Sequence, residues 1–208
     1  LLAKSGFKVC LISDKDQNQE LKETNLVTFL SSSSLNYLTL MIPSMRAFNA
    51  TPAIQIIKCQ LKSLNEKKSE SIEFKSEEKE SLGKIVKNSQ LENYLDKEIH
   101  QLHNIHIINS NQPNLITNNS NGVQLKLVNG EQIETEIFIL SSTKSNIADQ
   151  TEVKFIKKDL GQKALSINVK GEIKNKNCAF QKFISDGPLA LLPYSKDEAS
   201  IVWSLKNN

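Results

Sequence analysis

Apolar residues recur along the chain in distinct rhythms, and each predicts a different element. A short apolar run, Phe7-Lys8-Val9-Cys10-Leu11-Ile12, follows Leu1-Leu2-Ala3-Lys4-Ser5 and Gly6. The glycine suits the left-handed residue that ends a helix, so this stretch reads as helix end, turn and a parallel-sheet strand buried on both faces. Helical spacing returns twice. Ser31 to Leu40 carries Leu35, Leu38 and Leu40 behind serines able to cap it, and Pro43 stops it. Leu91 to Leu102 has apolar positions at 91, 95, 99 and 102, with Tyr94 beside the stripe and Asn104 ending it.

Strand rhythm dominates the rest. Ala53 to Leu61 is a strand with partial alternation, and residues 62 to 81 are charged apart from Ile72 and Phe74, which predicts a hairpin with a mobile loop. Ile105-His106-Ile107-Ile108 begins another strand. Val123, Leu125 and Leu127 alternate with polar residues, Asn129-Gly130 turns the chain, and Ile133, Ile137 and Ile139 return it as a hairpin. Further strands fall at Ala164 to Val169, Phe180 to Ile184, Leu189 to Leu192 and Ile201 to Leu205, punctuated by Gly187-Pro188 and Pro193. Helices and strands mix at the front and strands alone fill the back, so the expected fold class is α/β plus antiparallel β. No window approaches eighteen uninterrupted apolar residues, and no transmembrane helix is expected.

Composition narrows the function classes. The chain has 208 residues, enough for one fair-sized domain or two small ones, and a formal charge of +3. Of its 26 basic residues only Arg46 is an arginine, and the lysines are interleaved with acids, as in Lys75-Ser76-Glu77-Glu78-Lys79-Glu80. That pattern is a solvated face, not a phosphate-binding stripe, and no nucleic-acid partner is expected. The seven glycines are never within four residues of one another, so neither a GxGxxG nor a Walker loop is present.

Other constellations read blandly. Cys10, Cys59 and Cys178 are widely spaced without a CxxC, as in small core hydrophobes of a reducing compartment. His100-x2-His103-x2-His106 has the spacing of one helical face, but a helix stopping near Asn104 breaks that face. The histidines therefore read as a polar helix end, and no metal site is expected. Ser31 to Ser34 lacks a GxSxG elbow and reads as capping. Asp186-Gly187-Pro188 reads as a turn rather than a catalytic acid.

One string is more specific. Gly161-Gln162-Lys163-Ala164 and the strand after it, Ala179-Phe180-Gln181-Lys182-Phe183, Gly187-Pro188-Leu189-Ala190-Leu191-Leu192-Pro193 and Val202-Trp203 follow one another in order. Together they resemble the flavin-dependent aromatic hydroxylases of ubiquinone biosynthesis, a branch of the p-hydroxybenzoate hydroxylase-like class, whose pattern reads GQxA, AYxRF, GPLALLP and VW. Further back, Leu82 to Asn88 is similar to that family's LGxVVEN, and Val123 to Leu140 to its hairpin before an ADG motif. Leu2 to Ile12 resembles LAxSGxKVALIE, and Ala50 to Ile57 resembles AxPIxxIxV.

The resemblance implies an incomplete Rossmann-like FAD/NAD(P)-binding domain and a β-sheet substrate domain. Residues 1–46 and 83–150 would form the first, and 47–82 and 151–208 the second. It implies FAD and NAD(P)H as cofactors and hydroxylation of a prenylated phenol or quinone precursor. Gly187, Pro188, Leu189, Leu191 and Pro193 would face the substrate. Other ubiquinone-biosynthesis proteins are implied partners, and a cytoplasmic site, peripheral to the inner membrane, is implied as location.

The departures fall on cofactor positions. Ser13 stands where the family has an acid for the adenosine ribose, and Asp14, one step along a strand, faces the other way. Asn25 and Glu92 stand where the family has arginines, and Ser141-Ser142 replaces its DG motif. The family's GxGxxG would precede Leu1 and its GD motif would follow Asn208. No catalytic residue is identified. The expectation is a flavin monooxygenase fold, truncated and divergent, that does not turn over alone, or a non-catalytic remnant or quinone- or partner-binding module of the same ancestry.

Overall fold

The computed structural model describes residues 1–13, 26–61, 70–76, 81–109, 113–120, 122–141, 156 and 158–206, with the side chains of 49 and 50 excepted. Its strands and α-helices are, in order, β1 (Val9–Ser13), β2 (Val27–Ser31), α1 (Ser32–Met41), β3 (Ala53–Ile54), β4 (Ile56–Leu61), β5 (Glu70–Lys75), β6 (Gly83–Lys87) and α2 (Asn88–His100). Then come β7 (Ile105–Asn109), β8 (Pro113–Asn119), β9 (Gly122–Leu127), β10 (Gln132–Thr135), β11 (Gln162–Lys170), β12 (Cys178–Ile184), β13 (Gly187–Pro193) and β14 (Glu198–Lys206). Short 3-10 segments cover Ala3–Ser5 and Pro43–Ala50. The chain divides into two compact units, Leu1–Glu20 with Leu102–Lys158, and Leu21–Gln101 with Asp159–Asn208. Contacts thus group 21–46 and 83–101 with the large sheet, whereas the division by resemblance places them with the cofactor domain.

In the first unit, β1 and β7 pair in parallel from Val9↔Ile105 to Ser13↔Asn109. Gly6 takes φ 90° and its N–H bonds Ala3 O, ending the 3-10 turn as the sequence implies. The Asn104 amide donates to Ala3 O and Phe7 O, both at 2.7 Å, and so ties the two strand entries together. Burial on both faces does not follow. Cys10 and Leu11 are exposed, because among the described residues this sheet has two strands only.

A meander β8-β9-β10 completes the unit, with Leu125 and Leu127 buried on one face. Its hairpin loop is longer than a two-residue Asn-Gly turn. Leu127 N–H bonds Glu131 O and Gly130 N–H bonds Leu127 O, so Val128, Asn129 and Gly130 form a three-residue loop with Gly130 at φ 89°. Ile137 and Ile139 lie past the end of β10 and are exposed.

The second unit is built on a six-stranded sheet ordered β11-β14-β13-β12-β4-β5. It is mixed, not antiparallel throughout, because β4 runs parallel to β12 before turning back into β5. A smaller antiparallel sheet, β2-β6-β3, carries the two helices. Ser31 caps α1 by accepting the Ser34 N–H, and the helix stops at Ile42, one residue before Pro43. Leu35 faces inward, but Leu40 is exposed. One core cluster joins Leu30, Leu35, Ile42, Met45, Phe48 and Val86; another joins Ile54, Ile85, Ala179 and Tyr194. Each large apolar side chain so buried contributes roughly 1.5–3 kcal/mol.

Candidate ligand cavity

Inside the second unit lies a cavity of about 720 Å³. The Pro43–Ala50 segment and the residues after it form one wall through Phe48 and Thr51. Helix α2 contributes Gln90 and Tyr94, four residues apart and so on one helical face. The turn between β13 and β14 contributes Tyr194, and Glu198 opens β14 beside it. That turn is rigidly held: Ser195 Oγ accepts the N–H groups of Asp197 and Glu198, and the Tyr194 N–H bonds Glu198 O.

Aromatic edges and ammonium groups meet here. Phe48 and Tyr94 pack edge to face with centroids 5.2 Å apart. Lys87 Nζ sits 5.0 Å from the centre of the Tyr194 ring and 4.0 Å from a Glu198 carboxylate oxygen. Burial raises the Tyr194 phenol above the ordinary tyrosine pKa, and the Glu198 charge adds to this. Lys176 and Lys196 are exposed at the edge. The arrangement can hold a flat ring against Phe48, Tyr94 and Tyr194 while offering cationic donors to a polar substituent.

Behind the wall, Lys84 Nζ donates to Phe48 O at 2.9 Å and Thr51 O at 3.0 Å. Burial lowers its pKa from the usual lysine value.

The residues singled out from sequence lie as follows. Ser13 is the half-buried last residue of β1, opposite Asn109, and Ser141 is exposed outside any regular element. Glu92 is half-buried on α2, about 200° around the helix from Gln90, away from the face that lines the cavity. Asn25, Asp14 and Ser142 lie outside the described residues. Gly187 to Pro193 forms β13, an interior strand between β12 and β14. Leu189, Leu191 and Pro193 share one face of it, opposite Trp203, Ile201 and Ala199 of β14. Leu191 there borders a smaller cleft of about 450 Å³ with Cys178 and Phe180. Pro188 is on the other face, and the larger cavity starts one residue past the strand, at Tyr194.

Sequence reading passed over Phe48, Lys87 and Tyr194. Lysine and aromatic residues at these spacings look like any solvated or core position; only the fold brings positions 48, 87, 94 and 194 together.

The three cysteines are free thiols. Cys10 is exposed rather than a core hydrophobe, though partial desolvation of its thiol and then the Glu131 charge raise its pKa; burial raises that of half-buried Cys178. His100 Nδ1 lies 2.9 Å from Asp96 O in the last turn of α2. Among the described residues no group of three His, Cys, Asp or Glu side chains could hold a metal ion. No helix among them is long and apolar enough to cross a membrane.

A dinucleotide cofactor needs backbone open to its phosphates. Gly83, Gly122 and Gly187 are the described glycines where an added Cβ would strike something, and in each case the obstacle is this chain's own backbone, at Leu30, Thr135 and Ser204. Their closeness serves strand packing. Among the described residues no glycines stand at GxGxxG spacing to form a backbone cradle for an FAD pyrophosphate, and no chemical step through a flavin follows from them.

The fold is nonetheless the one seen in FAD-dependent monooxygenases. Crystal structures of PqsL from Pseudomonas aeruginosa, described as a probable FAD-dependent monooxygenase, and of p-nitrophenol 4-monooxygenase PnpA from Pseudomonas putida DLL-E4 each match 99% of this chain. Their TM-scores are 0.74 and 0.75, with identities of 10% and 9%. This chain covers 56% and 53% of those proteins, about half their length.

A sequence relative narrows the resemblance. Over 84 residues the chain is 32% identical to the mitochondrial ubiquinone biosynthesis monooxygenase COQ6 of Danio rerio, a stretch that is 39% of this chain and 17% of COQ6. No model of a known protein family matches the chain.

Proposed function

We propose that this chain is part of an FAD-dependent monooxygenase that hydroxylates a prenylated phenol of ubiquinone biosynthesis, with NAD(P)H as reductant, and that these 208 residues alone do not turn over. The observation that carries the reading is the 84-residue match to a ubiquinone biosynthesis monooxygenase, on a chain whose fold matches PqsL and p-nitrophenol 4-monooxygenase over 99% of its length. Within it, Phe48, Tyr94 and Tyr194 flank the ring, Lys87 faces its polar substituent, and β13 supports the turn that presents Tyr194. The hydrophobic tail of such a substrate favours peripheral contact with the inner membrane from the cytoplasmic side and contact with other proteins of the pathway.

A second reading is a quinone- or partner-binding module of the same ancestry without catalysis. Ser13, in place of a ribose-binding acid, and the absence of a GxGxxG spacing among these 208 residues favour it. The purified chain is mixed with FAD, freed of excess, and examined for flavin absorbance and for NADH or NADPH oxidation dependent on a prenylated phenol. No retained flavin and no oxidation is the expected result. Stoichiometric flavin with substrate-dependent oxidation sinks the claim of inactivity and with it the module reading.

A further inference from the structure

Lys84 occupies an unusual place for a lysine. It lies on β6 between Gly83 and the buried pair Ile85 and Val86, with Leu30 of β2 and Ala53 of β3 as its strand partners. Its ammonium ends on two carbonyls, Phe48 O and Thr51 O, where the 3-10 segment Pro43–Ala50 stops. Phe48 O also accepts the Thr51 N–H at 3.0 Å, so one oxygen gathers a backbone and a charged donor. Carbonyls at a helical C-terminus carry partial negative charge, and a cation is the complementary group. Pro52 then fixes the chain direction into β3, which pairs with β6 itself. The stretch 48–54 is thus held to one strand twice, by the β3 ladder and by the Lys84 side chain.

Both residues whose carbonyls Lys84 holds line the cavity, and the Phe48 ring buttresses Tyr94 on its α2 wall. We infer that Lys84 is a positioning residue: without touching the ligand, it sets the spacing between the Phe48–Thr51 wall and the Lys87–Tyr194 side of the cavity. The inference rests on the proposed function only for the choice of probe. Lysine is suited to this because one ammonium can serve two carbonyls. Methionine has similar length and no donor, while arginine keeps the charge and offers more donors.

The test compares the whole chain with K84M and K84R in two measurements. Hydrogen exchange at the Met45 and Thr51 amides, which bond Ile42 O and Phe48 O, reads the wall without any ligand. Titration with 2-prenylphenol, well below the unfolding temperature, reads the cavity. The expected result is exchange at both amides about tenfold faster in K84M, with amides of β13 and β14 unchanged, and binding weakened about tenfold. K84R is expected to stay within about threefold of the unmodified chain in both, a rescue that general loss of stability does not produce. If K84M does not fold, K84Q, which keeps a neutral donor, replaces it and is read in the same way. Unchanged exchange and unchanged affinity in the uncharged variant overturn the inference. If the unmodified chain does not bind 2-prenylphenol, the substrate reading fails, and hydrogen exchange alone decides the role of Lys84.

Discussion

At the scale of single residues, charge placement distinguishes an exposed ion pair on the sheet from the lysines in and behind the cavity wall. Glu73 on β5 contacts Lys75 at 2.7 Å and Lys58 at 2.9 Å, and these two ammonium groups, Lys75 first, hold its carboxyl down to about 2. The folded value lies below the ordinary 4.5, so the pairing stabilises above that pH and is lost as pH falls toward about 2. The expected outcome for Glu73→Gln is a lower melting temperature at neutral pH, with the gap to the unmodified chain closing on acidification. A gap as large at pH about 2 as at neutrality contradicts the assignment. The site is exposed and screened, so the effect is small and falls with salt. Lys84, by contrast, spends its charge on two backbone carbonyls, while Lys87 is shared between the buried Tyr194 ring and the Glu198 carboxylate.

At the scale of elements, the question is why β13 sits where it does. Its first residue, Gly187, takes φ 129°, and an added Cβ would run into the Ser204 carbonyl of β14. The glycine therefore closes the hairpin with β12 while letting β14 approach. Gly187→Ala is expected to cost about 3 kcal/mol or more, strain and clash together, whereas Gly171→Ala, in open space, stays within about 0.5 kcal/mol. Urea unfolding of both variants checks this, and equal midpoints count against it. The strand was legible as the apolar run Leu189 to Leu192 between Gly187-Pro188 and Pro193, and its partner β14 as Ile201 to Leu205. Strand β8 was not, because Pro113-Asn114-Leu115-Ile116-Thr117-Asn118-Asn119 is poor in apolar residues and is held by its ladder with β9. The parallel pairing of β4 with β12 was equally hidden, since alternation gives the faces of a strand and not the direction of its neighbour.

At the scale of the whole molecule, positive and negative residues alternate along the sequence rather than forming long runs of one sign. A formal +3 comes from 26 basic and 23 acidic residues interleaved along the chain, and Lys58 and Lys170 pair with Glu73 and Asp197. Duplex DNA at physiological salt is expected to bind more weakly than about 10⁻⁴ M, outside the usual non-specific range. Saturable retention in the micromolar range in a filter assay would reverse this view of the surface. Two compact units, one with a parallel strand pair and a meander, the other with the six-stranded sheet, accord with a fold that spans about half of each solved monooxygenase it matches.

The sequence by itself determined most strands, the capped start and stop of α1, and the flavin-monooxygenase resemblance. These are local or string-like properties: periodicity, turn chemistry and the order of motifs along the chain. The tertiary structure alone decided that Phe48, Lys87, Tyr94 and Tyr194, up to 146 positions apart, enclose one cavity. It also decided that Lys84 clamps the wall of that cavity and that the tight glycines pack against protein. Such juxtapositions depend on sheet order and register, which arise from long-range pairing and leave no period in the chain.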